Sequence, residues 1–255
     1  MKKFIKDTLE VRIYDSRDEM GMAAARDIKE RIAVLLKEKE TINMIFAAAP
    51  SQNEVLASLA SDPEIEWQRV NAFHMDEYIG LSADAPQGFG NFLKSHIFDL
   101  APFRSVNLIN TESDAEEEAR RYSELLRINP TDIVVMGIGE NGHIAFNDPP
   151  VADFGDPHLV KPVKLDEICR KQQVNDGCFE RIEDVPTHAL TLTVPTLMSA
   201  PHVFCIVPAP TKSRAVKETV YGEVDERCPA SILRRKSGAV LYLDPDSASL
   251  LGDKV

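Results

Sequence analysis

The sequence predicts an α/β fold, with a mainly parallel sheet and helices on both of its faces. Three features carry that prediction. Short apolar runs recur along the chain, among them Ile42–Ala49, Ile133–Gly137 and Val203–Val207. Between them lie segments with apolar residues three or four apart, as on one face of a helix. The apolar runs are continuous, not alternating, which is the pattern of strands buried on both sides in a parallel sheet. With 255 residues the chain can enclose one large core, and residues 1–255 are read as one Rossmann-like domain.

Taken in order, the first helix runs from about Asp18 to Lys37, with Met22, Ala25, Ile28, Ile32 and Leu35 near one face. Ile42–Ala49 is a buried strand that stops at Pro50, and Asn53–Ala60 is the helix after it. Val70–His74 is a second strand, Asn91–Phe98 and Ala115–Arg127 are helices, and Ile133–Gly137 is a third strand. Val203–Val207, a helix over Ser213–Val220 and the strand Ala239–Leu243 complete the alternation. In such sheets ligands bind beyond the carboxyl ends of the strands. The loops after Ala48, His74, Gly137 and Val207 are therefore the places where chemistry is expected. The Pro-, Gly- and Asp-rich stretch Pro149–Pro162 reads either as a lid or as an ordinary surface loop.

Composition narrows the function classes. The formal net charge of -12 disfavours nucleic acid and anionic membranes as partners. No run approaches the roughly 20 apolar residues of a membrane span, and the first ten residues lack the apolar core of a signal peptide, so the cytoplasm is the simplest location. The four cysteines, Cys169, Cys178, Cys205 and Cys228, form no C-x-x-C pair and read as free thiols, with no metal site expected.

Four segments carry chemistry. The strongest is Gly137-Ile138-Gly139-Glu140-Asn141-Gly142-His143-Ile144-Ala145-Phe146-Asn147-Asp148-Pro149, where three glycines follow a strand and let a ligand approach the backbone. The glycines fit G-x-G-x-x-G. However, the motif lies mid-chain, runs into a histidine and opens no evident helix, which argues against a dinucleotide site. His143 can move protons near neutral pH, and Asn141 or Asp148 can fix its tautomer. The second segment is Phe73-His74-Met75-Asp76-Glu77-Tyr78: two adjacent carboxylates follow a strand, and at most one of them faces a ligand. The third, Val207-Pro208-Ala209-Pro210-Thr211-Lys212-Ser213-Arg214, places Lys212 at a helix start suited to an anion. The fourth, Leu165-Asp166-Glu167-Ile168-Cys169-Arg170, offers Arg170 for bidentate contact with phosphate.

In this order, F-x-M-D-E-Y, G-x-G-x-x-G-H-I-A-F-N-[acid]-P, L-D-E-x-x-R and a lysine after the late strand resemble the glucosamine-6-phosphate deaminase/isomerase family, over roughly residues 40 to 245. The resemblance implies conversion of a hexosamine 6-phosphate to a ketose phosphate and ammonia, without metal or redox cofactor. The partner it implies is a small-molecule sugar phosphate, and both monomers and homo-oligomers fit. By position it assigns Asp76 as the base that moves a proton between C2 and C1, and His143 as the residue that opens the sugar ring. Asn141 and Asp148 flank that histidine, and Ser51, Arg170 and Lys212 are phosphate contacts. A lactone hydrolase on the same scaffold and a non-catalytic sugar-phosphate sensor are the other readings.

Three departures from the family pattern bear on the site. Ala47-Ala48-Ala49-Pro50-Ser51-Gln52 replaces a Gly-rich phosphate loop, so restricted backbone and a missing N–H are expected to alter anion binding. Asp148 is one methylene shorter than the usual glutamate, which shortens its reach to His143. Asn141 is an amide that orients the imidazole without accepting its proton.

Overall fold

The computed structural model describes residues 1–252. The chain opens with an antiparallel hairpin of β1 (Lys2–Lys6) and β2 (Leu9–Ile13), turned through Asp7 at φ 55°. Aspartate is one of the few non-glycine residues that visit this left-handed region. Helix α1 (Arg17–Glu38) is capped by Ser16, whose side chain accepts from the Glu19 N–H, and Asp18 and Glu19 favour its positive end. There follow β3 (Ile42–Phe46), α2 (Asn53–Ala60), β4 (Val70–His74), β5 (Asp76–Tyr78), α3 (Phe89–Leu93), β6 (Ser105–Asn107), α4 (Ala115–Ile128) and β7 (Ile133–Met136). The second half holds β8 (Val160–Lys164), α5 (Glu167–Asn175), β9 (His188–Leu192), α6 (Val194–Ser199), β10 (His202–Val207), α7 (Ser213–Tyr221) and β11 (Ala239–Leu243).

Eight strands form one sheet in the order β1-β2-β11-β10-β7-β3-β4-β6, parallel apart from the hairpin. Its apolar strands feed both faces. Met44, Phe46, Ile133 and Val135 join one core with residues of α1, α2 and α3, while Ile45, Val134 and Met136 join the other with residues of α4, α6 and α7. That double burial is why these strands read as unbroken apolar runs. The sheet order reverses at β3: β4 and β6 extend to one side, β7 and β10 to the other. The gap between the carboxyl ends of β3 and β7 is thus the switch point at which open α/β sheets bind ligands.

A second, antiparallel sheet, β5-β9-β8, stands beside this crevice. The sequence did not reveal it, because its strands are three to five residues long and interrupted by Lys, Pro, His and Thr. The helix expected over Asn91–Phe98 starts earlier, as α3, and ends in a π-helical turn over Lys94–Phe98. Glu77 ties the small sheet to α3: its carboxylate accepts from the N–H groups of Tyr78 (2.9 Å), Phe89 (3.0 Å) and Gly90 (2.8 Å). Glu77→Ala leaves these donors unpaired in a buried place. Urea denaturation is expected to show a loss of unfolding free energy on the order of 3 kcal/mol or more.

Candidate active site

A cleft of about 380 Å³ opens at the switch point, within the usual range for small-molecule sites. Its walls come from the loop after β3 (Ala47 to Gln52), Met75 and Asp76 after β4, Gly137, Ile138, Gly139 and His143 after β7, and Lys212 after β10. These are the four strand-end loops that the sequence singled out. Phe89 and Phe146, stacked with centroids 5.4 Å apart, add an apolar wall.

The proton-handling end is built around His143. Its backbone N–H can only donate, and it donates to Asn141 Oδ1 at 3.1 Å, which fixes the orientation of that amide. Asn141 Nδ2 then donates to Asp148 Oδ1 at 3.0 Å. His143 Nδ1 meets Asn141 Oδ1 at 2.8 Å and Asp148 Oδ1 at 3.0 Å. Both are acceptors, so the proton resides on Nδ1 and Nε2 is left as a base. The shorter Asp148 therefore does reach the ring. Burial alone would raise the Asp148 carboxyl, but His143, Asn141 and the Asp166 N–H outweigh it and hold the group below the usual range. The ring lies flat on Gly139: a Cβ there would sit 2.1 Å from Cε1 and 2.3 Å from each ring nitrogen. The tight loop closes through Gly142 at φ 87°, with no helix at the third glycine.

Asp76 is the first residue of β5, 6% exposed and in the wall of the same cleft. Burial, then the neighbouring Glu77 and Asp148, pushes its carboxyl well above the ordinary carboxylate value. Of the adjacent pair, Asp76 faces the cleft and Glu77 turns to the backbone of α3. Asp76 pairs across the small sheet with Thr191, and Thr191 Oγ1 accepts from the Phe146 N–H at 3.1 Å. Buried Asn147 adds a bond from Nδ2 to the Leu192 carbonyl at 2.8 Å. The His143 loop is thereby fastened to the strand that carries the partner of Asp76. His74, two residues earlier, is excluded from proton chemistry: burial and Lys94 push it down to about 3, and its Nε2 accepts from the Ile109 N–H.

The anion-handling end holds Ser51 and Lys212. Ser51 Oγ accepts from Gln52 Nε2 at 3.0 Å, which leaves its own proton to donate into the cleft, and Gln52 is anchored to the Ile206 carbonyl at 3.1 Å. The alanine loop needs no left-handed residue: Ala49 is extended at φ -164°, and Pro50 begins a 3₁₀ turn where its missing N–H is no loss. Lys212 is 5% exposed and, among the described residues, has no ion pair or side-chain hydrogen bond. Burial pulls its pKa down, opposed by Asp176 and Glu140. It follows Ala209, which is held at φ 86° and donates its N–H to Asp244. Such a conformation in a residue with a side chain costs about 1–3 kcal/mol.

Arg170 does not join this group. Its Nη2 donates to the Ile182 and Val185 carbonyls at 2.7 and 2.8 Å, and it lines a separate cavity behind Asp148. Its place in the cleft wall is taken by Gln172, Gln173, Asp176 and Cys178, none of them a site residue expected from the sequence. The signal was there: Cys169, Gln172, Gln173 and Asp176 have the spacing of one helix face. Nor does Pro149–Pro162 line the cleft, so the covering wall is α5 and not that loop. Arg170→Ala should therefore change the KM for a phosphorylated substrate by less than about threefold, whereas Lys212→Met should raise it about tenfold or more, in steady-state kinetics.

No helix among the described residues is long and apolar enough to cross a membrane. A monomeric glucosamine-6-phosphate deaminase of known structure superposes with a TM-score of 0.85 at 28% identity, covering 94% of this chain and 99% of that one. The 6-phosphogluconolactonase of Thermotoga maritima shares the fold, with a TM-score of 0.76 at 20% identity over 92% of this chain and 98% of its own. Glucosamine-6-phosphate deaminase of Bacillus cereus is 33% identical over 248 residues, 97% of this chain and 91% of the relative. That of Exiguobacterium sibiricum is 32% identical over 243 residues, 95% and 93% of the two chains. Residues 15–156 match the family described as glucosamine-6-phosphate isomerases/6-phosphogluconolactonase, and the chain belongs to that family.

Proposed function

We propose that this protein is an enzyme that isomerises and deaminates a hexosamine 6-phosphate, converting glucosamine 6-phosphate and water to fructose 6-phosphate and ammonia. The observation that carries the reading is the presence, in one cleft, of a desolvated carboxylate, an imidazole with its Nε2 free as a base, and a buried lysine with no ion pair among the described residues. The lysine and the Ser51 hydroxyl take the phosphate, which orients the sugar toward the proton-handling end.

His143 Nε2 accepts the proton of the anomeric hydroxyl and returns it to the ring oxygen, opening the pyranose to an aldehyde. Asp148 stabilises the imidazolium formed on the way, as a carboxylate held ionised against Nδ1 can. The aldehyde acidifies the C2 proton, which passes to Asp76. The aldehyde oxygen takes a proton from the C2 ammonium as this happens, so the resulting C1–C2 double bond carries a hydroxyl on C1 and a neutral amine on C2. Return of the proton from Asp76 to C1 leaves a C2 iminium; water adds to it, and ammonia departs from the ketose.

A coupled assay for ammonia and fructose 6-phosphate tests the reading. Glucosamine 6-phosphate should yield both products in equal amounts, with galactosamine 6-phosphate compared alongside. Acid release from a sugar-phosphate lactone, with no ammonia from either amino sugar, would overturn it.

A further inference from the structure

Cys169 has no part in the mechanism above, yet it stands directly behind it. On α5, fully buried and free, its Sγ lies with a ring nitrogen of His143 and a carboxylate oxygen of Asp148 in a group whose atoms are all within 4.8 Å of one another, and the ring nitrogen that faces Asp148 is Nδ1, at 3.0 Å. Among the described residues this is the one cluster of three histidine, cysteine or carboxylate groups close enough to hold a metal ion. We propose that His143, Asp148 and Cys169 form an inhibitory site for a thiophilic divalent cation such as Zn²⁺, in which the ion disables the enzyme by reversing the tautomer of His143.

The donor set suits that ion. One imidazole, one carboxylate and one thiolate with a fourth position to spare is a normal zinc complement, and the thiolate selects against Mg²⁺ and Ca²⁺. Asn141 Oδ1, 2.8 Å from His143 Nδ1, is at hand for the fourth position. With metal–ligand bonds of about 2.0–2.3 Å, tetrahedral donors sit about 3.4 Å apart, so the 3.0 Å between Nδ1 and Asp148 Oδ1 must open by only about half an ångström. Two negative ligands and a divalent cation make a neutral centre, which a buried position favours. Asp148 also lines a cavity of about 570 Å³, with Asp166 and Glu167 in its wall, that shares no lining residue with the substrate cleft.

The proton inventory defines the effect. Without metal, Nδ1 carries the proton and Nε2 is the base. Metal on Nδ1 sends that proton to Nε2, so the imidazole stays neutral but presents a donor to the sugar where it needs an acceptor. The Cys169 thiol loses its proton to solvent, so each ion bound releases one proton. Neither Ser51 nor Lys212 is among the ligands. Inhibition should therefore fall on kcat and not on KM. That kinetic expectation rests on the function proposed above; the binding expectation does not.

Titration of the metal-free protein with Co²⁺ tests the site without reference to activity. A thiolate-to-cobalt charge-transfer band saturating at one ion per chain is expected, with release of about one proton, and its absence from Cys169→Ser and Cys169→Ala. Zn²⁺ should displace the cobalt. In the deamination assay it should lower kcat about tenfold or more while KM moves less than about twofold, and each Cys169 variant, measured against its own metal-free rate, should need at least about tenfold more Zn²⁺ for the same inhibition. No thiolate band in the folded parent, or equal sensitivity to Zn²⁺ in parent and variants, would overturn the proposal. If the variants do not fold, the parent's band and proton count decide alone. A band with no catalysis by any sample would refute the function and leave the site standing.

Discussion

Asp76→Asn is expected to lower kcat by about 100- to 10,000-fold while making the protein more resistant to heat at neutral pH. Both effects have one cause. The carboxyl is enclosed, and burial, Glu77 and Asp148 all disfavour its ionised form. A base so placed gains proton affinity, which is what abstraction from a carbon beside a carbonyl requires. The same environment destabilises the folded chain. Because the folded-state pKa is raised, the contribution of Asp76 to stability is fully present below about pH 4, where both states are protonated, and is lost as pH rises through the folded-state value. An amide of the same shape does not ionise and escapes that loss. Each kcal/mol regained should raise the melting temperature by about 2–4 °C at neutral pH and by nothing at pH 3. Calorimetry at the two pH values checks this. In the parent, kcat/KM should rise with pH along a limb that lies above the ordinary carboxylate range. A variant equally active, or less stable at neutral pH, would remove Asp76 from the role given to it.

Gly139→Ala should be as damaging as His143→Gln, although alanine is the smallest change available. The new Cβ would lie 2.1–2.3 Å from three atoms of the imidazole, a separation no contact allows. The ring must swing away from Asn141 and Asp148, and a displacement of about 1 Å in a reacting group is enough for a loss near 100-fold. The defect should appear in kcat, with KM nearly unchanged, because Ser51 and Lys212 come from other loops, those after β3 and β10. Far-ultraviolet circular dichroism should match the parent. A variant with parental kcat would mean that the ring does not work from the position seen here.

The sequence disclosed β3, β4, β7, β10 and β11 of the large sheet, among which Ile42–Phe46, Ile133–Met136 and His202–Val207 stand out as apolar runs because they are buried on both faces, but not the half-exposed outer strands β1, β2 and β6. It disclosed Asp76 and His143 because each follows such a strand directly. It did not disclose the small sheet, whose strands depend on pairing with one another and not on a local pattern. Arg170 shows a different limit. The arginine of L-D-E-x-x-R suggests a bidentate phosphate contact, but helix α5 turns that side chain toward the carbonyls of Ile182 and Val185, and only the path of the chain after the helix places those acceptors there. Asp148 erred in the opposite direction. Its shorter side chain reduced the reach expected toward His143, but the turn from Gly142 to Asn147 brings its backbone near enough.

The link from Asp76 through Thr191 and Phe146 to the histidine loop has an evolutionary corollary. The separation of Asp76 and His143 is a fixed gauge, and it resists piecemeal change because three backbone segments would have to be redrawn together. Ala47–Gln52 and Gln172, Gln173 and Asp176 line the same cleft outside that linkage, so a single codon there alters its shape and leaves the gauge as it was.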